Sequence, residues 1–114
     1  MKTHTVSFKH AWAGLSHAVR TQPNFIIHAS LSLLVVIAGL LTHITVLYWL
    51  ILALTITIGL VIELLNTAIE SAVDLATSDF HPLAKIAKDT AAAAMLVYAV
   101  GAVVIALIIF IPQL

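Results

Sequence analysis

Apolar residues dominate the chain, and polar ones interrupt them at a few informative places. Between positions 5 and 21, Phe8, Trp12, Leu15 and Val19 recur at helical spacing, while Lys9, His10, Ser16, His17 and Arg20 lie largely off that face. This predicts a basic, Trp-bearing amphipathic helix, suited to a membrane interface or to packing on the protein's own helices. Thr21-Gln22-Pro23-Asn24 breaks the pattern, because proline disfavours helical geometry at the residue before it. Long apolar runs then predict three membrane-spanning helices, over 25–42, 45–77 and 83–111. Tyr48 and Trp49 stand where an interfacial aromatic belt would start the second span. The uncharged Thr42-His43-Ile44-Thr45 joins the first pair of spans, and Ser78-Asp79-Phe80-His81-Pro82 joins the second. In that second break Ser78 and Asp79 are natural helix caps, and Pro82 is tolerated in a first helical turn.

Composition agrees with this pattern. The 114 residues are 62% hydrophobic and 9% charged, against about 25% charged for an average soluble domain. A water-soluble fold of this size keeps too much surface exposed to hide so much apolar area. The expected class is an all-α membrane protein forming a single membrane domain, 1–114. Net charge is zero with histidine neutral, which gives nucleic acid no electrostatic footing as a partner. Cysteine is absent, which excludes disulfides and thiolate metal sites. The first twenty residues lack the apolar core and small-residue cleavage site of a signal peptide.

Lys2, Lys9, Arg20, Lys85 and Lys88 are all the Lys and Arg present, and each precedes the first span or lies between the second and third. By the positive-inside rule, the N-terminus and the second loop face the cytoplasm. All five acidic residues share that side.

One polar stripe breaks the second span. Glu63, Asn66, Glu70 and Asp74 share a helix face and form a row about 16 Å long. A carboxylate in hydrocarbon costs at least about 2.5–3.5 kcal/mol, so it normally marks an ion, proton or substrate site. Glu63 lies deepest, in the most apolar surroundings, which suits a general base. Glu70 lies about two turns nearer the cytoplasm, placed to hold a hard cation such as Mg²⁺ through carboxylate oxygen. Lys88 and Asp89 open the neighbouring helix, a cation for phosphate and an acid for a ribose or for a contact that supports the binding groups from behind. Together these groups suggest phosphoryl transfer from a soluble donor to a lipid hydroxyl. The four glycines are scattered, so there is no phosphate-cradling glycine loop.

The motif Glu63-x-x-Asn66-Thr67-Ala68-Ile69-Glu70-x-x-Val73-Asp74, followed by Ser78-Asp79-x-His81 and Ala87-Lys88-Asp89, resembles the prokaryotic diacylglycerol kinase family, which includes undecaprenol kinases. The similarity runs from about Phe8 to Gly101. It implies a homotrimer of three-span subunits in the bacterial cytoplasmic membrane, with an interfacial helix and active sites shared between neighbours. It also implies Mg²⁺, with ATP as phosphoryl donor and a membrane lipid alcohol, undecaprenol or diacylglycerol, as acceptor. Carried over by position, Glu63 takes the hydroxyl proton, Asn66 orients the reacting groups and Glu70 binds the metal. Lys88 neutralises phosphate charge. Asp79, Phe80, His81 and Asp89 line the nucleotide pocket, with His10 reaching it from the interfacial helix. Trp12, Asn24 and Phe25 lie near the lipid headgroup.

Two departures bear on this reading. Gln22 stands where family members commonly carry a metal-binding Glu, and Ile26 replaces a basic residue of the undecaprenol-type Asn-x-x-x-His stretch, of which Asn24 and His28 survive. Two rival functions follow. One is a weakly active or non-catalytic relative serving as a membrane nucleotide binder or scaffold, as Gln22 would suggest. The other is a small proton or ion conductor using the Glu63–Glu70–Asp74 stripe, which leaves the first helix and the Lys88-Asp89 pair without a use.

Overall fold

A computed structural model describes residues 7–114. Lys2, His4 and the first two positions of the expected surface helix lie outside the described residues. The described residues form four α-helices, α1 (Phe8–Thr21), α2 (Pro23–Thr42), α3 (Val46–Ala76) and α4 (Pro82–Phe110), followed by a 3₁₀ turn over Ile111–Gln113.

Each helix boundary has a local cause. Ser7 caps α1, its side chain accepting from the His10 backbone N–H. The break between α1 and α2 is a single residue, Gln22, held extended, with Pro23 opening α2. The fixed φ of proline suits the first helical position, where its missing N–H costs nothing. α2 ends at His43, which takes the left-handed conformation at φ 53°, ψ 49° and returns its N–H to the Gly39 carbonyl. Thr45 caps α3 by accepting from the Tyr48 N–H. Before α4 the structure corrects the expectation that Ser78 or Asp79 is the cap. His81 fills that position, its Nδ1 accepting from the Leu83 N–H at 3.1 Å. Because the helix starts at Pro82, the residue before proline is the extended one. The Asp79 N–H instead bonds Thr77 Oγ1 at 3.2 Å, tightening the loop.

Among the described residues, three helical segments are long and apolar enough to cross a membrane: Pro23–Thr42, Val46–Ala76 and Pro82–Gln113, which is α4 with its 3₁₀ turn. At 1.5 Å per residue the 31 residues of α3 extend about 46 Å, well beyond a hydrocarbon core of about 30 Å. α3 is the spine, with α2 and α4 both packed along it. At the end remote from the acidic stripe, Ile44, Leu52 and Ile109 form the buried core, flanked by Trp49, Val35 and Phe110. Gly39 lets the α2–α3 hairpin close there, since a Cβ on it would lie 2.7 Å from the Trp49 ring.

Few side chains are buried within the single chain, and many large apolar ones are exposed along all three long helices, Leu34, Leu47 and Val97 among them. Such a surface is stable against lipid or further protein but not against water. On α1, Ala18 is buried against the bundle, whereas Phe8 and Trp12 are 88% and 70% exposed.

Candidate active site

The polar end of α3 carries the site. Glu63 is 1% exposed, as buried as any core leucine. Its Oε2 is sealed from solvent and has no hydrogen-bond partner among the described residues. Its one close basic neighbour among the described residues is His28 of α2, whose Nε2 lies 3.9 Å away. One turn along, Asn66 is buried, its Nδ2 donating to Glu70 Oε1 at 3.3 Å while its Oδ1 is left without a partner. Thr67 supports the same turn by donating to the Glu63 carbonyl at 3.0 Å. Leaving a buried polar atom unsatisfied costs about 1–3 kcal/mol, and two so close together need an explanation. Both are acceptors. They fit a partner that brings protons or positive charge.

Further along the face, burial falls off. Glu70 is half-buried and Asp74 is exposed. Asp74 Oδ1 lies 2.6 Å from Lys88 Nζ, tying α3 to the first turns of α4. Lys85 and Asp89 pair along the exposed side of α4. Between these two pairs and the 77–81 loop lies a cleft of about 420 Å³, lined by Asp74, Asp79, Phe80, His81, Lys88 and Asp89 with their neighbours. Phe80 is 81% exposed at its rim. One ring nitrogen of His81 is committed to capping α4.

Five of the expected nucleotide residues, Asp79, Phe80, His81, Lys88 and Asp89, therefore line one cleft. His10 does not line it. It sits on the exposed side of α1, its backbone N–H bonded to Ser7 Oγ. Gln22 is placed at the α1–α2 elbow, its Nε2 donating to Thr21 Oγ1 at 3.3 Å. It lines a separate cavity of about 140 Å³ with Arg20, Pro23 and Ile26, a lining that does not include Glu70. Beside it Asn24 is exposed and Phe25 is buried. Among the described residues, no three His, Asp or Glu side chains converge as a metal cluster.

The oxygen chemistry of this stretch suits a divalent cation. The Glu70 carboxylate and the unpartnered Asn66 Oδ1 are hard oxygen ligands of the type that such ions take, and Mg²⁺ characteristically draws its remaining ligands from water and substrate phosphate.

Sequence reasoning gave His28 no role at this site. The available signal was its position, a lone titratable side chain in a 20-residue apolar helix. It also lines a second cavity of about 160 Å³ between α2, α3 and α4, together with Ser32, Thr55 and Tyr98. That cavity is mostly apolar.

Comparison with known proteins places this arrangement in a family. The family model described as prokaryotic diacylglycerol kinase matches residues 9–110. The undecaprenol kinase of Bacillus subtilis is 47% identical over 108 residues, covering 95% of this chain and 88% of the relative. A diacylglycerol kinase of Synechocystis is 46% identical over 110 residues, covering 96% of this chain and 63% of the relative, so the chain spans less than two thirds of that protein. A diacylglycerol kinase of Helicobacter pylori is 51% identical over 49 residues, 43% of this chain and 38% of the relative. The chain belongs to the prokaryotic diacylglycerol kinase family, and its enzyme class is that of the lipid kinases.

Proposed function

We propose that the protein is an ATP- and Mg²⁺-dependent kinase that transfers the γ-phosphoryl group to the hydroxyl of a membrane lipid alcohol, a polyprenol such as undecaprenol in preference to diacylglycerol. The observation that carries this is the gradient along one face of α3. A sealed, unpartnered carboxylate at Glu63 leads through Asn66 and Glu70 to the open, Lys88-lined cleft. A lipid hydroxyl arrives from the apolar side and a nucleotide from the aqueous side, and that gradient supplies a group for each.

In this reading Glu63 accepts the hydroxyl proton as the oxygen attacks phosphorus in line, and the ADP oxygen departs on the opposite side. Asn66 holds the attacking and accepting groups in register. Glu70 and Asn66 would hold the metal, with Gln22 as a further oxygen donor; when bound, the ion neutralises phosphate charge. Lys88 is a phosphate-binding point charge, released from Asp74 when nucleotide enters the cleft. Asp79, Phe80, His81 and Asp89 enclose the nucleotide, and Trp12, Asn24 and Phe25 border the lipid headgroup.

That His10 and Gln22 do not line the cleft within one chain supports a homotrimer in which neighbouring subunits complete each site. The exposed Phe8 and Trp12 support an α1 that lies in the membrane interface, with the N-terminus and the 77–81 loop on the cytoplasmic side.

The test is phosphate transfer from radiolabelled ATP in lipid bicelles, with undecaprenol and diacylglycerol run side by side. Equal rates for the parent protein and Glu63→Gln on every lipid alcohol would sink the mechanism. A second reading, a weakly active nucleotide-binding relative, draws on Gln22, which offers the metal a neutral oxygen and already donates to Thr21. It predicts measurable ATP binding with negligible transfer to either lipid.

A further inference from the structure

His28 is the sole titratable side chain of α2, a helix that is otherwise suited to hydrocarbon. Its cost there calls for a function. The imidazole faces two other helices. α3 presents the Glu63 carboxylate, 3.9 Å from Nε2. α4 presents Tyr98, its ring edge-on to the imidazole at a centroid distance of 6.3 Å. Neighbouring hydroxyls are already committed: Ser32 Oγ donates to the His28 carbonyl at 2.7 Å, and Tyr98 Oη to the Thr55 carbonyl at 2.7 Å. Among the described residues, the imidazole therefore stands free beside a carboxylate oxygen that has no partner. The gap exceeds a normal N···O hydrogen bond by about 1 Å, within the reach of a small ring rotation.

Exposure differs sharply across the pair. The Glu63 side chain is 2% exposed and that of His28 is 21% exposed. A proton accepted by Glu63 has no direct route to water, whereas one on His28 has an open edge to leave from.

We propose that His28 is a positioning residue for Glu63, orienting its carboxylate and clearing its proton after each turnover; this rests on the lipid-kinase reading. The O–H bond of the lipid breaks as its oxygen bonds to phosphorus and the bond from phosphorus to ADP breaks. The proton passes to the Glu63 carboxylate. His28 takes it at Nε2, which restores the carboxylate; the imidazolium then loses a proton to water, and exchange with water returns the ring to the tautomer with Nε2 free. No co-reactant is required.

The experiment has two arms, both on the full chain in lipid bicelles. The first needs no activity. In histidine nitrogen NMR spectra, Glu63→Gln alters the His28 ring signals and leaves those of His17 and His43 in place; an unmoved His28 signal overturns the pairing. The second compares His28→Gln and His28→Gly with the parent protein. A lost proton-transfer partner lowers kcat by about 10²-fold, with the KM for ATP unchanged. The acid limb of the pH–rate profile loses one ionisation, and added imidazole restores part of the rate of His28→Gly. A purely structural role would give a fall in rate with the same pH profile and no imidazole rescue, and that outcome, like an unchanged kcat, overturns the proposal. A His28 signal that responds in a protein transferring no phosphate to any lipid upholds the pairing and removes the lipid-kinase reading instead.

Discussion

Tyr98 of α4 lies directly over Gly59 of α3. A Cβ built on Gly59 would overlap the Tyr98 hydroxyl and ring edge, with Cε2 only 2.7 Å away. The same hydroxyl donates to the Thr55 carbonyl at 2.7 Å, one turn earlier on α3. This contact sets how closely α4 approaches the spine, and through it the height of the Lys88 cleft relative to Glu63.

Gly59→Ala should therefore destabilise the protein by about 1–3 kcal/mol, the usual cost of overpacking a close helix contact. Tyr98→Phe should cost about 0.5–1.5 kcal/mol, the value of one net hydrogen bond. It should not rescue Gly59→Ala, because ring carbons overlap the new methyl as well. Thermal unfolding of the three variants in one detergent measures this. A Gly59→Ala protein as stable as the parent would show that the helices do not meet at this register.

How much of the site was legible before folding follows from which distances helical periodicity controls. Glu63, Asn66, Glu70 and Asp74 share a face because they lie within one helix, and their spacing alone places them there. The pairing of Asp74 with a lysine was open to the same reasoning, since the 77–81 loop is too short to carry Lys88 far from the end of α3. The approach of His28 to Glu63 was not. It depends on the relative height of α2 and α3, which the Gly39–Trp49 contact and the His43 turn determine and no spacing encodes. The α4 cap was misplaced for a different reason. Ser78 and Asp79 are the better capping residue types, yet Pro82 opens the helix and makes its predecessor the cap.

The sealed carboxylate leads to a prediction that separates catalysis from stability. Glu63→Gln replaces a carboxyl group whose Oε2 has no partner among the described residues, so it should leave the melting temperature unchanged or higher. Phosphoryl transfer should fall by about 10²-fold or more, as expected for a lost general base. Parallel unfolding and initial-rate measurements check both halves. A variant that loses stability in step with activity would mark Glu63 as a packing element of the helix interface.

Lys88 and Asp74 make the complementary case. Both side chains are substantially exposed, at 43% and 65%, so the ion pair is screened and adds little to stability. Lys88→Ala should raise the KM for ATP by roughly tenfold to a hundredfold, the size of a lost charge-assisted hydrogen bond. Asp74→Asn leaves the ammonium in place and frees it for phosphate, so KM should hold or fall. If Asp74→Asn weakens nucleotide binding as much as Lys88→Ala, the pair acts as a unit and the lysine is not an independent phosphate ligand.

Gln22 stands where the resemblance read from the sequence leads one to expect a carboxylate, and the structure shows what its amide does instead. The side-chain amide donates to Thr21 Oγ1, a bond no carboxylate can donate. Gln22→Glu would lose that bond, gain a charged oxygen at the α1–α2 elbow and leave the backbone unchanged, since the residue is already held extended ahead of Pro23. Hard divalent cations favour anionic oxygen over amide oxygen. If Gln22 from one subunit and Glu70 from a neighbour share an ion, Gln22→Glu should lower the Mg²⁺ concentration needed for half-maximal rate severalfold, and Glu70→Gln should erase the gain. Titrating Mg²⁺ at fixed ATP for the single and double variants reads that coupling directly. Additive effects of the two substitutions would mean that they serve different ions, and the elbow would then have no part in the metal site.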